Sequence, residues 1–159
     1  SEMCIRDRVI TLASYAQVYK MYSTRNYHNQ LRLNTMTGEV QQIQDDGQSW
    51  IVCSAREISG DKESRFCLYE TQNMWTFILL DSYNGRLWQV QYSTQDLDNL
   101  FCIPINKYEL VSDNENCIFS IQPLTSMYQY YLINDRTGDM WKFQWSTKGD
   151  DYRWIEKFK

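Results

Sequence analysis

The chain contains three copies of one unit, and this repetition constrains its fold more than any other feature of the sequence. Three segments, residues 19–45, 66–92 and 119–145, align without gaps over 27 positions. Each copy has a glycine at the same place (Gly38, Gly85 and Gly138) and an Asn or Asp four residues earlier. A period near 50 residues is typical of β-units that stack on one another. The chain is therefore expected to fold as three successive units.

Each unit is predicted to be an antiparallel meander of four strands. Aromatic residues make up 15% of the chain, and such residues fit a pleated, half-buried surface. Runs of strong helix-forming residues are missing, so the predicted fold class is all-β. In the second unit we expect strands at Phe66–Tyr69, Met74–Leu80, Arg86–Tyr92 and Leu100–Ile105. The fourth strands of the other units are expected near Ser49–Cys53 and Tyr152–Ile155.

Alternation of side chains along these strands predicts which faces are buried. The third strands place large apolar residues on one face, which we assign to the core: Trp88, Val90 and Tyr92, then Trp141, Phe143 and Trp145. The second strand of the middle unit is apolar on both faces, which predicts a position between two layers. At the matching positions the first unit has His28, Gln30 and Arg32. The first unit is therefore predicted to be a cap that faces water.

Two architectures accommodate three four-stranded units. One is an open stack of propeller-like blades, since closed propellers normally need at least four blades. The alternative is a β-trefoil, whose three-fold symmetry closes on itself. A trefoil treats its repeats alike, whereas the first unit here differs from the others, so we favour the open stack. The predicted domain is residues 17–159, with repeats at about 17–61, 62–114 and 115–159.

The N-terminal residues are set apart from the repeats. Residues 1–8, SEMCIRDR, look like a translated sequencing adapter, so they are excluded from the fold argument. Residues 9–16 resemble the end of a signal peptide, with Ser14 and Ala16 at the −3 and −1 positions of a cleavage site. An ordinary first strand is the alternative for this segment. The signal-peptide interpretation predicts an exported protein.

Four cysteines remain after the adapter-like segment: Cys53, Cys67, Cys102 and Cys117. Their spacing favours two local disulfides, Cys53–Cys67 and Cys102–Cys117. Each bridge closes a loop of roughly 15 residues and stabilises the fold by about 3 kcal/mol in the chain-entropy model. The alternative is four buried free thiols that pack as small apolar groups.

Two sequence resemblances accompany the repeats. Residues 80–88, LDSYNGRLW, and residues 134–141, NDRTGDMW, are similar to the D-x-x-T-G-x-x-W turn of quinoprotein-type propeller repeats. Residues 65–93, RFCLYETQNMWTFILLDSYNGRLWQVQYS, resemble the units of short exported β-repeat proteins of gut bacteria that carry no assigned activity. The chain departs from that pattern at Cys67, at Gln41 and at residues 124–126. The second resemblance implies repeats and export from a Gram-negative bacterium, to the periplasm, the cell surface or the medium.

Composition and motifs argue against several classes of function. A net charge of −4 and a pI near 5.0 disfavour nucleic-acid binding. No apolar run is long enough for a membrane-spanning helix. His28 is the one histidine, and no phosphate loop, calcium loop or zinc-ligand spacing is found, so we predict no enzyme activity, no cofactor and no metal site.

Aromatic side chains are the best candidates for binding. Trp and Tyr present flat apolar faces with polar tips, which suit both sugar rings and protein partners. The candidate ligand-binding residues lie around the second strands of the two aromatic units: Trp75, Phe77, Tyr128 and Tyr130. The alternative is that these four rings pack between the repeats. The sequence thus predicts a non-catalytic exported module that binds a glycan or surface polymer. The alternative is an assembly protein whose uncapped third unit contacts another protein chain.

Overall fold

The computed structural model describes residues 17–112 and 118–158, which form three antiparallel four-stranded sheets. The first sheet contains β1 (Tyr19–Ser23), β2 (Asn29–Asn34), β3 (Val40–Gln44) and β4 (Ser49–Cys53). The second contains β5 (Phe66–Glu70), β6 (Thr76–Asp81), β7 (Leu87–Gln91) and β8 (Phe101–Pro104). The third contains β9 (Phe119–Pro123), β10 (Gln129–Asn134), β11 (Met140–Gln144) and β12 (Trp154–Lys157). Each strand pairs with its neighbour in the sequence, so each sheet is a meander.

In residues 17–112 and 118–158, helical structure is confined to short connections. The α-helix α1 (Ala55–Ile58) follows the first sheet, and single 3-10 turns at Leu97–Asn99 and Asp150–Tyr152 precede β8 and β12. None of the helices in the described part of the chain has the length and apolar character needed to span a membrane. The adapter-like and signal-like segments, residues 1–16, lie outside the described residues.

The prediction of an all-β fold with three tandem four-stranded repeats is confirmed, and the described strands form no closed barrel of the trefoil kind. The predicted strand positions agree with the structure to within a few residues. Strand β12 (Trp154–Lys157) lies two residues later than the predicted Tyr152–Ile155, and β6 begins two residues late, because Met74 and Trp75 belong to the preceding turn. The Asn73 side chain accepts a hydrogen bond from the Trp75 N–H at 2.9 Å, and this bond keeps the turn closed for two more residues.

Two hydrophobic cores hold the three sheets face to face. The first core lies between the first and second sheets and includes Leu31, Val40, Phe77, Leu79 and Trp88. The second lies between the second and third sheets and includes Ile78, Leu80, Leu87, Leu132 and Trp141. Strand β6 contributes to both cores and is buried along its whole length, as its two apolar faces predicted. The middle sheet is therefore the central layer of the stack.

The faces of the outer sheets follow from the same alternation. All six aromatic and aliphatic residues that the sequence assigned to the core on the third strands are buried. In the first sheet the matching face is open and only partly polar: His28 and Gln30 are exposed, but so are Met21 and Ile51, which pair with Arg32 and Gln41 and are 49% and 54% exposed. Arg32 donates a hydrogen bond to the Gln41 side chain on this face. The first unit therefore has an outer face open to water, as predicted, but that face is not the uniformly polar cap that the second strand alone indicated.

The three hairpin turns have the same geometry. Gly38, Gly85 and Gly138 have φ angles of 82°, 83° and 80°, in the region where a side chain is strained. Each glycine N–H donates to the carbonyl of the Asn or Asp four residues earlier, at 2.8–2.9 Å. The side chains of Asn34 and Asn134 accept hydrogen bonds from the next turn amides. The aligned glycines therefore mark equivalent turns of three equivalent units.

The predicted disulfide pairing is wrong. Cys53 and Cys102 are free thiols, so neither the Cys53–Cys67 nor the Cys102–Cys117 bridge is formed. Cys67 is disulfide-bonded, its partner is outside the described residues, and Cys117 also lies there. Cys53 and Cys67 lie on opposite sides of the second sheet. Cys53 belongs to the first core, whereas Cys67 is paired with Leu80 and so lies on the face that packs in the second core. Near neighbours in the sequence are thus separated by a sheet.

Candidate functional site

A cleft of about 430 Å³ opens at one end of the second sheet. Its apolar wall is the ring of Trp75, which is half-buried and lies 5.1 Å from the ring of Tyr92, centroid to centroid. The rest of the lining comes from β7 and the loop that follows it: Gln91, Ser93, Thr94, Gln95, Asp96 and Asn99. The volume lies in the range of sites for small ligands, but the lining is more polar than that of most such sites.

The Trp75–Tyr92 pair occupies a position that recurs in all three units. In the third unit the equivalent rings are Tyr128 and Trp145, with centroids 4.7 Å apart. In the first unit the equivalent residues are His28 and Asp45, whose Nδ1 and Oδ2 atoms lie 2.6 Å apart on the exposed face. The same backbone hydrogen bond joins each pair across the hairpin. Of the three pairs, the one in the second unit lines the cleft.

A glutamine from the neighbouring sheet fixes the loop of the cleft. Gln42 is fully buried on β3, and its Nε2 donates to the Ser93 carbonyl oxygen at 2.8 Å. The Ser93 N–H points back to the Gln42 Oε1 at 3.4 Å. The side chain of Gln42 therefore binds both backbone groups of one residue in the next unit. We call this contact the Gln42 clasp.

Further hydrogen bonds hold the loop between Ser93 and β8. The Ser93 Oγ accepts from the Asp96 N–H at 3.2 Å. Asp96 then caps the 3-10 turn by accepting from the Asp98 N–H at 2.9 Å, and Gln91 donates to the Asn99 carbonyl at 3.0 Å. The polar side of the cleft is thus held in one conformation before any ligand arrives.

A second clasp joins the second and third sheets. Gln89, fully buried on β7, donates to the Ser146 carbonyl at 2.9 Å and accepts from the Ser146 N–H at 3.1 Å. Arg153 also donates to the Gln89 Oε1 at 2.8 Å. The third sheet has Lys142 at the matching position, which supplies donors and no acceptor. We call this contact the Gln89 clasp.

The structure separates the four predicted ligand-binding residues. Trp75 lines the cleft, and Tyr128 is 37% exposed at the equivalent place in the third unit. Phe77 and Tyr130 are 2% and 4% exposed and belong to the two cores, so their ring faces are covered by neighbouring side chains. These two rings stabilise the stack and are not available to a ligand.

Burial also changes the acid–base chemistry of the tyrosines. Burial raises the pKa of Tyr130 from its ordinary value near 10 to about 12. The pKa of Tyr92 is raised too, by burial in the first place, with a smaller opposing effect of the Thr24 hydroxyl. Both side chains are therefore neutral across the physiological range.

We expect alkaline pH to reveal the burial of Tyr130. Because its pKa is higher in the folded than in the unfolded chain, its stabilising contribution is complete below about pH 10 and is lost as the pH rises toward 12. Tyr130→Phe should flatten this loss, which urea unfolding at a series of pH values measures. Tyr92 and Cys53, whose pKa values are also raised by burial, contribute to the slope that remains. If the free energy of unfolding fell with pH equally steeply in the variant and the parent, the raised pKa of Tyr130 would be contradicted.

Charged and nucleophilic groups do not gather at the cleft. Asp96 is the one ionisable carboxylate among its lining residues, and both of its oxygens accept hydrogen bonds within the loop. Among the described residues no group of three or more His, Cys, Asp or Glu side chains is placed to hold a metal ion. The lining offers hydroxyl, amide and backbone groups beside an indole ring. Such a surface suits a neutral polar ligand.

The sequence indicated only part of this site. Trp75 was identified from the aromatic pattern, but the polar lining from Ser93 to Asn99 was not. One signal was present, because Ser93-Thr94 recurs as Ser146-Thr147 in the third unit. The partner of that serine, Gln42, lies on another unit, and only the structure shows the two in contact.

Comparisons with known proteins identify no relative. No protein-family model matches the chain, and no curated protein or solved structure shows significant similarity to it. The geometry of the cleft therefore carries the functional argument.

Proposed function

We propose that this protein is a non-catalytic, exported binding module that recognises a carbohydrate at the Trp75 cleft. The observation that carries the proposal is the pairing of one accessible indole face with a rim of hydroxyl and amide groups. A sugar ring has the complementary surface, since its C–H groups pack on a flat aromatic face while its hydroxyls exchange hydrogen bonds at the edges. The proposed site of action is the periplasm, cell surface or medium of a Gram-negative bacterium.

The electrostatics of the cleft support a neutral sugar over an anionic ligand. No Lys or Arg lines the cleft, so a phosphate or carboxylate would find no counter-charge there. Ordered loop hydrogen bonds also favour binding, because the Gln42 clasp and the Asp96 cap remove part of the ordering cost before the ligand binds.

We expect Trp75→Ala to weaken carbohydrate binding by at least about tenfold, the loss typical of a central aromatic contact. The full chain is first screened on a glycan array, and the affinity for the best ligand is then measured by calorimetry. Tyr128→Ala is the matched control, because Tyr128 occupies the same repeat position in the third unit. Its affinity should stay within about twofold of the parent.

Two results would count against the carbohydrate site. One is a complete array with no bound glycan at high protein concentration. The other is an equal loss of affinity in the Trp75 and Tyr128 variants, which would indicate a general effect on folding. Circular dichroism of both variants shows whether a loss of affinity comes from unfolding or from a change confined to the cleft.

The outer face of the third sheet favours a second candidate function, assembly with a further copy of this chain. This face has Tyr131, Ile133 and Met140 at the positions that Ile78, Leu80 and Leu87 occupy in the second core. All three are half-buried. Light scattering over a range of concentrations tests this function: a dimer without any glycan signal supports it, and a monomer at all concentrations contradicts it.

A further inference from the structure

Two free cysteines from different sheets face each other in the first core. Cys53 ends β4 and is fully buried, while Cys102 lies in β8 opposite Val90 and is partly exposed. Cys102 packs against the hydrophobic core that contains Cys53. The two strands are also in contact across the space between the first and second sheets. The two cysteines therefore lie at the interface between the first and second units.

We propose that Cys53 and Cys102 are an oxidation site, at which a disulfide forms and bonds the first sheet to the second. The thiolate of Cys102 attacks a low-molecular-weight disulfide such as oxidised glutathione, forms a mixed disulfide and releases one glutathione thiol. Cys53 then loses its proton and attacks the Cys102 sulfur, which releases the second thiol. Two protein thiols are oxidised, and one glutathione disulfide is reduced to two thiols.

The order of these steps follows from exposure. Cys102 is partly open to solvent and can meet the oxidant, whereas Cys53 has no exposed surface. Burial, followed by the contact with Cys102, raises the pKa of the Cys53 thiol well above its ordinary value. Cys53 is therefore a poor initial nucleophile and is expected to react second, since Cys102 packs against the core in which it is buried.

The topology favours this bridge over the local pairs that the spacing suggested. The Cys53–Cys102 bond closes a loop of roughly 50 residues, so it restricts the unfolded chain more than a local bridge of about 15 residues does. It also holds an end unit, which otherwise is attached at one interface only. Cys67, which points toward the second core, takes no part.

The test uses the full chain with oxidised glutathione as the oxidant. After incubation and digestion without reductant, mass spectrometry should find Cys53 and Cys102 in one linked peptide pair that has lost two hydrogens. Cys53→Ala should instead trap Cys102 as a stable glutathione adduct. The proposal is overturned if Cys53 links to Cys67, or if both thiols can still be alkylated after incubation.

A stability measurement checks the consequence independently. Adding reductant should lower the Tm of the oxidised parent by roughly 10 °C more than it lowers the Tm of the double variant Cys53→Ala/Cys102→Ala. The double variant keeps the Cys67 disulfide, so its own shift on reduction accounts for that bond. Equal shifts in the two proteins would show that the bridge does not hold the sheets together.

Discussion

Replacing Asp81 by asparagine should lower the free energy of unfolding by about 3–5 kcal/mol, because it leaves a buried arginine without its counter-charge. Arg65 and Asp81 are 5% and 2% exposed. The Arg65 Nε lies 2.9 Å from both carboxylate oxygens of Asp81, and a terminal nitrogen lies 2.8 Å from one of them. Asp61 also approaches Arg65, at 3.4 Å, but its carboxylate is exposed and compensates little. Urea unfolding of Asp81→Asn measures the loss.

The repeats themselves supply the control for this variant. At the same two repeat positions the third unit has Ile118 and Asn134 in place of Arg65 and Asp81. The double variant Arg65→Ile/Asp81→Asn should therefore recover most of the stability and come within about 1–2 kcal/mol of the parent. A double variant as unstable as the single one would mean that the aspartate acts mainly through its turn contacts. Asn134 accepts two turn amides, so we expect the turn to tolerate the exchange.

The strand order and the buried faces could be predicted because local pattern decides both. Each strand pairs with its sequence neighbour, and in the β2–β3, β6–β7 and β10–β11 hairpins a short turn with a glycine at φ near +80° joins the two strands. The two apolar faces of β6 indicated a central layer, and the polar row at Gln30 and Arg32 indicated a terminal one. In both cases burial depends on the residues of one strand, which the sequence shows directly.

Contacts between units were harder to predict, because the sequence does not show which faces meet. Cys53 and Cys67 are close in the chain but point into different cores, while Cys53 and Cys102 are distant in the chain and adjacent in space. The same holds for the cleft. Trp75 could be identified by its type, whereas the conformation of its polar rim depends on a glutamine in another sheet.

The two clasps give the stack a direction. Gln42 and Gln89 each bind the backbone of a serine in the following unit, Ser93 and Ser146. The bonded groups are the backbone N–H and carbonyl of each serine, so the contact does not depend on the serine side chain. The third unit has Lys142 at the glutamine position, and its ammonium group has donors but no acceptor for a backbone N–H. Each clasp therefore runs from one unit to the unit that follows it in the sequence.

Gln89→Leu should lower the free energy of unfolding by about 2–4 kcal/mol, since it leaves the buried N–H and carbonyl of Ser146 without their partner. Arg153 loses its contact with the Gln89 oxygen at the same time. Lys142→Leu is the matched control, because Lys142 occupies the same repeat position on the face of the third sheet that points away from the second core. Its stability should change by less than about 0.5 kcal/mol.

The region of the structure that Gln89→Leu destabilises shows whether the Gln89 clasp holds one interface or stabilises the whole core. In a stack whose units touch only their neighbours, weakening one interface lets the end unit open by itself. Amides of β9–β12 should then exchange with solvent faster, while those of β1–β4 keep the protection that the parent gives them. Uniformly faster amide exchange in all three sheets would contradict the interpretation that the Gln89 clasp stabilises only the interface between the second and third sheets. It would indicate that the buried glutamine stabilises the whole stack through the central sheet.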